Sequence, residues 1–461
     1  MKQIIRSFTL VMLVLFAPLT QSMAQIKGTV TEASARQFRV AIPEFTVDSP
    51  EAQKYAEQIA TIIRADLEST GLFELLDPSS FIETDLSVQL QPSFKDWRLI
   101  KAEALLVGEV QQLSTGELVV RFRLWDTGLE EQRMFPDANG NLTLKGRQFK
   151  VTPDNIRRLS HKVADNVYTS MTGDEGYFDT RIVFISESGP KTNRVKKLAL
   201  MDQDGWNVEE LTSGRNIVLT PRFSPTNQMI TYMTYEAGRP QVYLFDIEND
   251  RSESLGQFSG MTFAPRFSPD GKSVIFSKEE NGNSEIHIMD LSRRVTTQLT
   301  DHPAIDTSPS MSPDGKQIAF TSDRGSSPQI YIMNTDGSAF TCPTTGQRDV
   351  ACRITGFTGG GSYSTPVWSP RGDYIAFTKQ QNRKFYIGVI YPDGRGERLL
   401  TESYLDEGPD WSPNGRVIIF SREPYAGASP NLYSIDLTGR NLRRVRTPGD
   451  ASDPAWSPPL K

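Results

Sequence analysis

Three histidines, two cysteines and a few acids among 56 Asp and Glu residues are the side chains here whose types and positions suit chemistry. His161, His287 and His302 fall on an expected helix, an expected strand and a loop, and none sits at metal-ligand or nucleophile-motif spacing. His161 reads as a helix-surface residue. No Gly-x-Ser-x-Gly elbow precedes a helix, so a serine hydrolase site is not expected. Gly359-Gly-Gly-Ser362 leads into a strand rather than a helix N-terminus, which argues against a phosphate cradle. Cys342 and Cys352 stand alone, without the further Cys or His that a thiolate metal site needs. Neither catalysis nor a cofactor is expected.

The elements that would position these residues come from a repeat. Pro221-Arg-Phe-Ser-Pro225, Pro265-Arg-Phe-Ser-Pro-Asp-Gly271, Pro309-Ser-Met-Ser-Pro-Asp-Gly315, Pro366-Val-Trp-Ser-Pro-Arg-Gly372, Pro409-Asp-Trp-Ser-Pro-Asn-Gly415 and Pro454-Ala-Trp-Ser-Pro458 are copies of one phrase. Their first prolines are 44, 44, 57, 43 and 45 residues apart. Ser-Pro-Asp-Gly is turn chemistry: Pro presets φ, Asp tolerates the bridge region and Gly takes a positive φ. β-Branched and aromatic runs follow, such as Ser273–Glu279 and then Glu285–Leu291, with a short outer run at Thr296–Thr300. This is the grammar of a β-propeller with one four-stranded blade per repeat. The chain ends soon after the sixth phrase, and Arg181–Glu187, Lys197–Gln203 and Glu209–Thr212 supply the missing strands ahead of the first. A six-bladed propeller is expected over residues 181–458, its last blade closed by strands from both ends, so that no edge stays open. Trp368, Trp411, Trp456, Phe223 and Phe267 lie inside the phrase and are assigned to the inter-blade core.

Residues 37–172 obey a different pattern. Phe38–Phe45 alternates like a strand, and Asp48-Ser49-Pro50-Glu51 offers a helix start. Tyr55, Ile59, Ile62, Ile63 and Leu67 form one helical face, ended by Gly71. Leu72–Leu76 reads as a strand, Phe94–Ala102 as a helix, and Ala104–Leu113 with Glu117–Thr127 as a hairpin. A last helix begins at Thr152-Pro153, carries Ile156, Leu159, Val163 and Val167 on one face, and stops by Gly173. The expectation is a small α/β domain, joined through residues 173–180 to the propeller.

Met1-Lys2-Gln3-Ile4-Ile5-Arg6, the apolar run Phe8–Leu19 and Ser22-Met23-Ala24 make a secretory signal peptide over residues 1–24, cut between Ala24 and Gln25. The apolar run is too short to span a bilayer. An oxidising compartment then makes a Cys342–Cys352 bridge the expected state, a staple on the surface insertion that lengthens one repeat. Removing Lys2 and Arg6 takes the formal charge from −6 to −8, without a basic stripe for nucleic acid. Arg293-Arg294 and Arg443-Arg444 read as solvated strand ends.

The order of parts resembles the TolB family of the Tol-Pal envelope system. The stretches that carry the resemblance are Phe38-Arg-Val-Ala-Ile-Pro43, Ala65-Asp-Leu-Glu-Ser-Thr-Gly-Leu-Phe73, Asp96-Trp-Arg98, Ala104-Leu-Leu-Val-Gly108, Met171-Thr-Gly-Asp-Glu-Gly-Tyr-Phe-Asp-Thr-Arg-Ile182 and Trp456-Ser-Pro-Pro-Leu460. The insertion around Cys342 and Cys352 departs from the family pattern. The resemblance implies a monomeric periplasmic adaptor, without enzymatic activity or cofactor, that serves outer-membrane invagination during division and envelope integrity. Its implied partners are the lipoprotein Pal, the inner-membrane protein TolA, other envelope proteins and bacteriocins that exploit the system for entry. TolA would engage the tether at residues 25–36, through Gln25, Ile26, Lys27, Gly28, Thr29 and Val30. Pal would engage one channel mouth through Met261, Thr262, Phe263, Ala264, Asp306, Thr307 and Ser308, with Tyr363, Ser364, Asp406 and Glu407 sharing the rim.

Two readings of that mouth stand side by side. Phe263 and Tyr363 would serve as aromatic anchors for a partner, or would plug the channel and pack between blades. Asp306, Asp406, Glu407, Asp450 and Asp453 would ring the opening and attract a cation, or would be solvated strand ends. A propeller holding a small ligand or glycan in its channel is the competing function. Similar repeats accompany peptidases of the prolyl oligopeptidase type, but no hydrolase domain of the needed size accompanies these.

Overall fold

The computed structural model describes residues 36–136, 142–143, 146–357 and 360–460. The signal peptide, its cleavage site at Ala24 and Gln25, the tether residues Gln25 to Val30 and Gly359 lie outside the described residues.

The first domain is a mixed sheet with helices on both faces. Its strand order is Phe73–Leu75, Phe38–Ala41, Ala104–Gln112, Leu118–Asp126 and Glu131–Gln132, with Arg147–Val151 also pairing Leu118–Asp126. Phe38–Ala41 runs parallel to both of its neighbours, and the long central pair forms the expected antiparallel hairpin. The 38–45 stretch is not one strand, because after Ala41 the chain leaves the sheet before Thr46–Val47 rejoins it beside Glu109 and Val110. Alternation along Ala104–Gln112 sends Ala104, Leu106 and Val110 to one core and Leu105 and Val107 to another. Helix α1 (Gln53–Ser69) covers the first core; a 3-10 turn at Pro50–Ala52 leads into it, and Ser49 makes no side-chain cap bond. Short helix α2 (Phe94–Leu99) covers the other, where Phe94 and Trp97 are buried. Helix α3 (Ile156–Thr172) packs beside α1 through Leu159, Val163 and Val167 and ends at Gly173, whose φ of 78° only glycine adopts without strain.

Among the described residues the remainder forms six antiparallel four-stranded sheets. Their inner strands are Val218–Phe223, Met261–Phe267, Asp306–Met311, Ser362–Trp368, Leu405–Trp411 and Asp450–Trp456, numbered here as blades one to six. Blade six is completed by Arg181–Ser188, Val195–Asp202 and Glu209–Glu210, with Ile182 opposite Trp456 and Glu187 opposite Asp450. The propeller thus closes by pairing the two ends of its own segment. Phe223, Phe267, Trp368, Trp411 and Trp456 are all buried between blades.

The 173–180 segment is not a linker in the physical sense. Tyr177 and Phe178 are buried and belong to one apolar cluster that runs from α1 and α3 into blade six and reaches Trp456. Tyr177 meets Tyr168 and Trp456 edge-on, with ring centroids 5.8 and 5.7 Å apart. Trp456 Nε1 donates to Thr180 Oγ1 at 2.8 Å. Asp174 closes the seam by pairing Arg371 at 2.9 Å and Arg416 at 2.7 Å, the first inside the turn of its repeated phrase and the second just after it.

Cys342 and Cys352 are bonded, with Cα atoms 5.3 Å apart. They are not a surface staple: both are buried beside Ile330, Ile354 and Trp368. The inserted hairpin Phe340–Thr341/Arg348–Asp349 sits outside, and Ala351–Arg353 is the outer strand of blade three itself.

Candidate protein-docking mouth and the domain junction

Each inner strand carries one extra residue just before its repeated proline. Thr307 stands opposite Thr321 and Ser310 opposite Ala319, so three steps on one strand match two on the next. The same shift recurs in the other five blades. At the bulge the residue preceding proline adopts a left-handed φ: Thr220 47°, Ala264 49°, Ser308 54°, Thr365 48°, Gly408 63° and Asp453 49°. For a non-glycine residue this costs about 1–2 kcal/mol, and proline itself narrows its predecessor's choices. A bulge re-aims side chains. In five blades the two residues before proline are half-buried neighbours at the opening, and in blade five the exposed Glu407 fills the place with Gly408.

The repeat register sorts the expected rim residues into two groups. Three positions before proline, Thr262, Asp306, Tyr363 and Asp406 have no exposed surface. Thr262 Oγ1 accepts the Val242 N–H at 2.9 Å. Asp306 pairs Arg324 at 2.7 Å, and Asp406 is gripped by Arg422 at 2.7 Å and by the Thr401 hydroxyl at 2.6 Å. The Tyr363 hydroxyl donates to Glu397 at 2.8 Å, and Lys379 lies 4.8 Å from its ring centre. Their burial corrects the expectation that they face a partner directly: they anchor the strand ends beneath the rim. Met261, Phe263, Ala264, Thr307, Ser308, Ser364 and Glu407 keep solvent access. Leu219, Thr220, Thr365, Ser452 and Asp453 occupy the same places in other blades. Of these only Asp453 was singled out from sequence, as a member of an acidic ring, although their distance from the repeated proline marks them all.

The five acids do not form a ring. Besides the paired Asp306 and Asp406, Asp450 is held by Arg194 at 2.6 Å, and Asp453 accepts the Thr220 N–H at 3.3 Å across the blade seam. Glu407 keeps an exposed face, yet partial dehydration, and then the charges of Asp453 and Glu423, raise its carboxyl pKa. One step deeper, Arg266 of blade two reaches Asp410 of blade five at 3.1 Å. Those blades face each other across the axis, so this pair bars the channel. Asp410 also accepts the Trp456 N–H at 2.9 Å. Burial, with Arg222 alongside, lowers the Arg266 pKa to about 10.

At the opposite ends of these strands lies the domain junction, where the expectation for His161 fails. His161 is on α3 but is 3 % exposed, because the propeller covers that side of the helix. Its Nδ1 lies 2.7 Å from Asp66 of α1, whose other oxygen accepts Gln203 Nε2 at 3.0 Å. Dehydration opposes the charged imidazole, but Asp66 and Asp204 outweigh it and lift its pKa to about 9. His287 is also buried and its pKa lies low for that reason, while His302 Nδ1 accepts the Ala304 N–H at 3.0 Å. Among the described residues, the ring nitrogens of the three histidines meet a carboxylate, a backbone carbonyl and a backbone N–H.

Comparison with known proteins agrees with this architecture. Family models of the TolB amino-terminal domain and the TolB β-propeller domain match residues 27–133 and 168–460. TolB from Acinetobacter baumannii is 29 % identical with a TM-score of 0.76, over 92 % of this chain and 97 % of that one. Hydrazine synthase of Kuenenia stuttgartiensis, 13 % identical with a TM-score of 0.50 over 63 % of this chain and 48 % of that one, shares the fold alone.

Proposed function

The chain belongs to the TolB family, and on that premise we propose that it is a periplasmic adaptor of the Tol-Pal system which docks Pal on the bulged mouth of its propeller. The observation that carries this reading is the mouth itself. Six bulges turn accessible side chains toward one opening, while buried ion pairs at Asp306 and Asp406 hold the strand ends beneath. Strain kept in several blades at one end of the fold is typical of positions under functional constraint. Phe263 is the anchor on this surface, flanked by Met261, Ala264, Thr307 and Ser308, with Ser364 and Glu407 completing the rim. The Arg266–Asp410 bar weighs against a ligand threaded through the channel, and favours a partner seated on its mouth.

The α/β domain occupies the other face, so the mouth stays open to a folded partner. The tether, through Gln25 to Val30, engages TolA, and the assembly links inner-membrane Tol proteins to Pal during outer-membrane invagination. Among the described residues no helix is long and apolar enough to cross a membrane.

Calorimetric titration of the protein with the soluble domain of its own Pal tests the reading, beside Phe263→Ala and Thr307→Arg. Micromolar or tighter binding, weakened at least tenfold by either variant, is expected. No binding by the folded wild type would discard the Pal assignment. Equal binding by both variants would discard this surface.

A further inference from the structure

The domain junction gathers groups that docking does not use. His161 Nε2 is fully buried and has no partner, and the same is true of Asp204 Oδ1. Ligand atoms of His161, Asp202 and Asp204 all lie within 4.8 Å of one another. Ligands of a tetrahedral zinc ion, bound at about 2.0–2.2 Å, stand about 3.4 Å apart, so a small closure of the two carboxylates would complete a site. One imidazole with two carboxylates is a nitrogen and oxygen set that suits zinc. Behind it, Asp66 faces Nδ1 at 2.7 Å. That contact is the carboxylate–histidine arrangement which fixes the ring and raises the basicity of Nε2 at metal centres.

We propose that His161 Nε2, Asp202 and Asp204 bind one zinc ion at the junction, with Asp66 orienting the imidazole. His161 belongs to the α/β domain, whereas Asp202 and Asp204 belong to the propeller's closing blade and the turn after it. The ion therefore ties the two domains together. Its rival is Arg157, which bonds Asp204 Oδ2 and lies 3.4 Å from Asp202 Oδ2, with its guanidinium 5.2 Å from the Trp206 ring centre. Arg157 leaves Asp204 Oδ1 unpartnered, and that oxygen is the one offered to the metal. Where the imidazole carries a proton on Nε2, zinc displaces it to solvent.

The test is calorimetric titration of ZnCl2 into the untagged, chelator-treated two-domain protein, beside His161→Gln, Asp204→Asn and the remote His302→Gln. We expect one zinc ion per chain, bound at least tenfold more weakly by either junction variant and unchanged by His302→Gln. Zinc at a hundredfold excess over its Kd should raise the melting midpoint of the wild type by about 4 °C. Asp204 is partly exposed, so Asp204→Asn decides the matter alone if His161→Gln does not fold. Absence of stoichiometric zinc binding by the wild type overturns the proposal. So does binding that neither junction variant weakens.

Discussion

The pair that bars the channel can be tested by a double-mutant cycle. Asp410→Asn keeps the side chain's shape and an oxygen for the Trp456 N–H, but removes the charge that compensates Arg266 with Arg222 nearby. Breaking a buried pair from one side costs about 3–5 kcal/mol. Side-chain exposures of 17 % for Arg266 and 11 % for Asp410 let some water in and place the cost at the lower end, about 2–3 kcal/mol. Arg266→Met leaves Asp410 still accepting the Trp456 N–H, which offsets part of the loss, so about 1–2 kcal/mol is expected. The double variant also relieves the cost of burying two charges and should fall within about 1 kcal/mol of wild type. The resulting coupling energy, the two single losses less that of the double variant, is about 2–5 kcal/mol. Urea unfolding followed by tryptophan fluorescence, with an unchanged m-value, measures each corner of the cycle. Additive single effects, each below about 0.5 kcal/mol, would refute the picture of a dehydrated trans-axial pair.

Three further outcomes follow from the same geometry. Gly408→Ala should destabilise by about 1–2 kcal/mol in urea unfolding: a Cβ there meets only Asp453 Oδ1 at 3.7 Å, so the left-handed φ alone sets the cost. Replacing both Cys342 and Cys352 by alanine should lower stability by about 2–3 kcal/mol through loop entropy, read as a drop in the urea midpoint. Burial raises the Asp165 pKa to about 7, with Asp66 and Asp179 pushing the same way against two backbone N–H donors. The folded chain therefore prefers the protonated acid; that contribution is complete below about pH 4 and is lost as pH rises through about 7. Asp165→Asn should flatten the fall in thermal midpoint across that window, and an unchanged pH profile would contradict the assignment.

The repeat phrase, its turn and the strands after it were legible because blade structure is local: proline, glycine and alternation act over a few residues. Helices α1 and α3 were legible for the same reason, from one apolar face each. Even the closing of blade six could be read, since strands missing at one end appeared at the other. The bulges were not. Only Gly408 advertises a left-handed φ, while threonine, alanine, serine and aspartate stand in the other blades. The rim was half legible, as register located the opening but not which side chains look into it.

What remained was decided by pairs that meet only in three dimensions. Asp306 and Asp406 look like free rim acids until Arg324 and Arg422 from neighbouring chain segments take them out of water. His161 looks like a surface residue of its own helix until the propeller covers it. Arg266 and Asp410 lie 144 residues apart, and nothing near either marks the other as its partner. Periodicity and turn chemistry by themselves determined the blades, the small domain and their order, because those forces act along the chain. Burial and charge compensation belonged to the tertiary structure, because dehydration depends on every element that packs around a group.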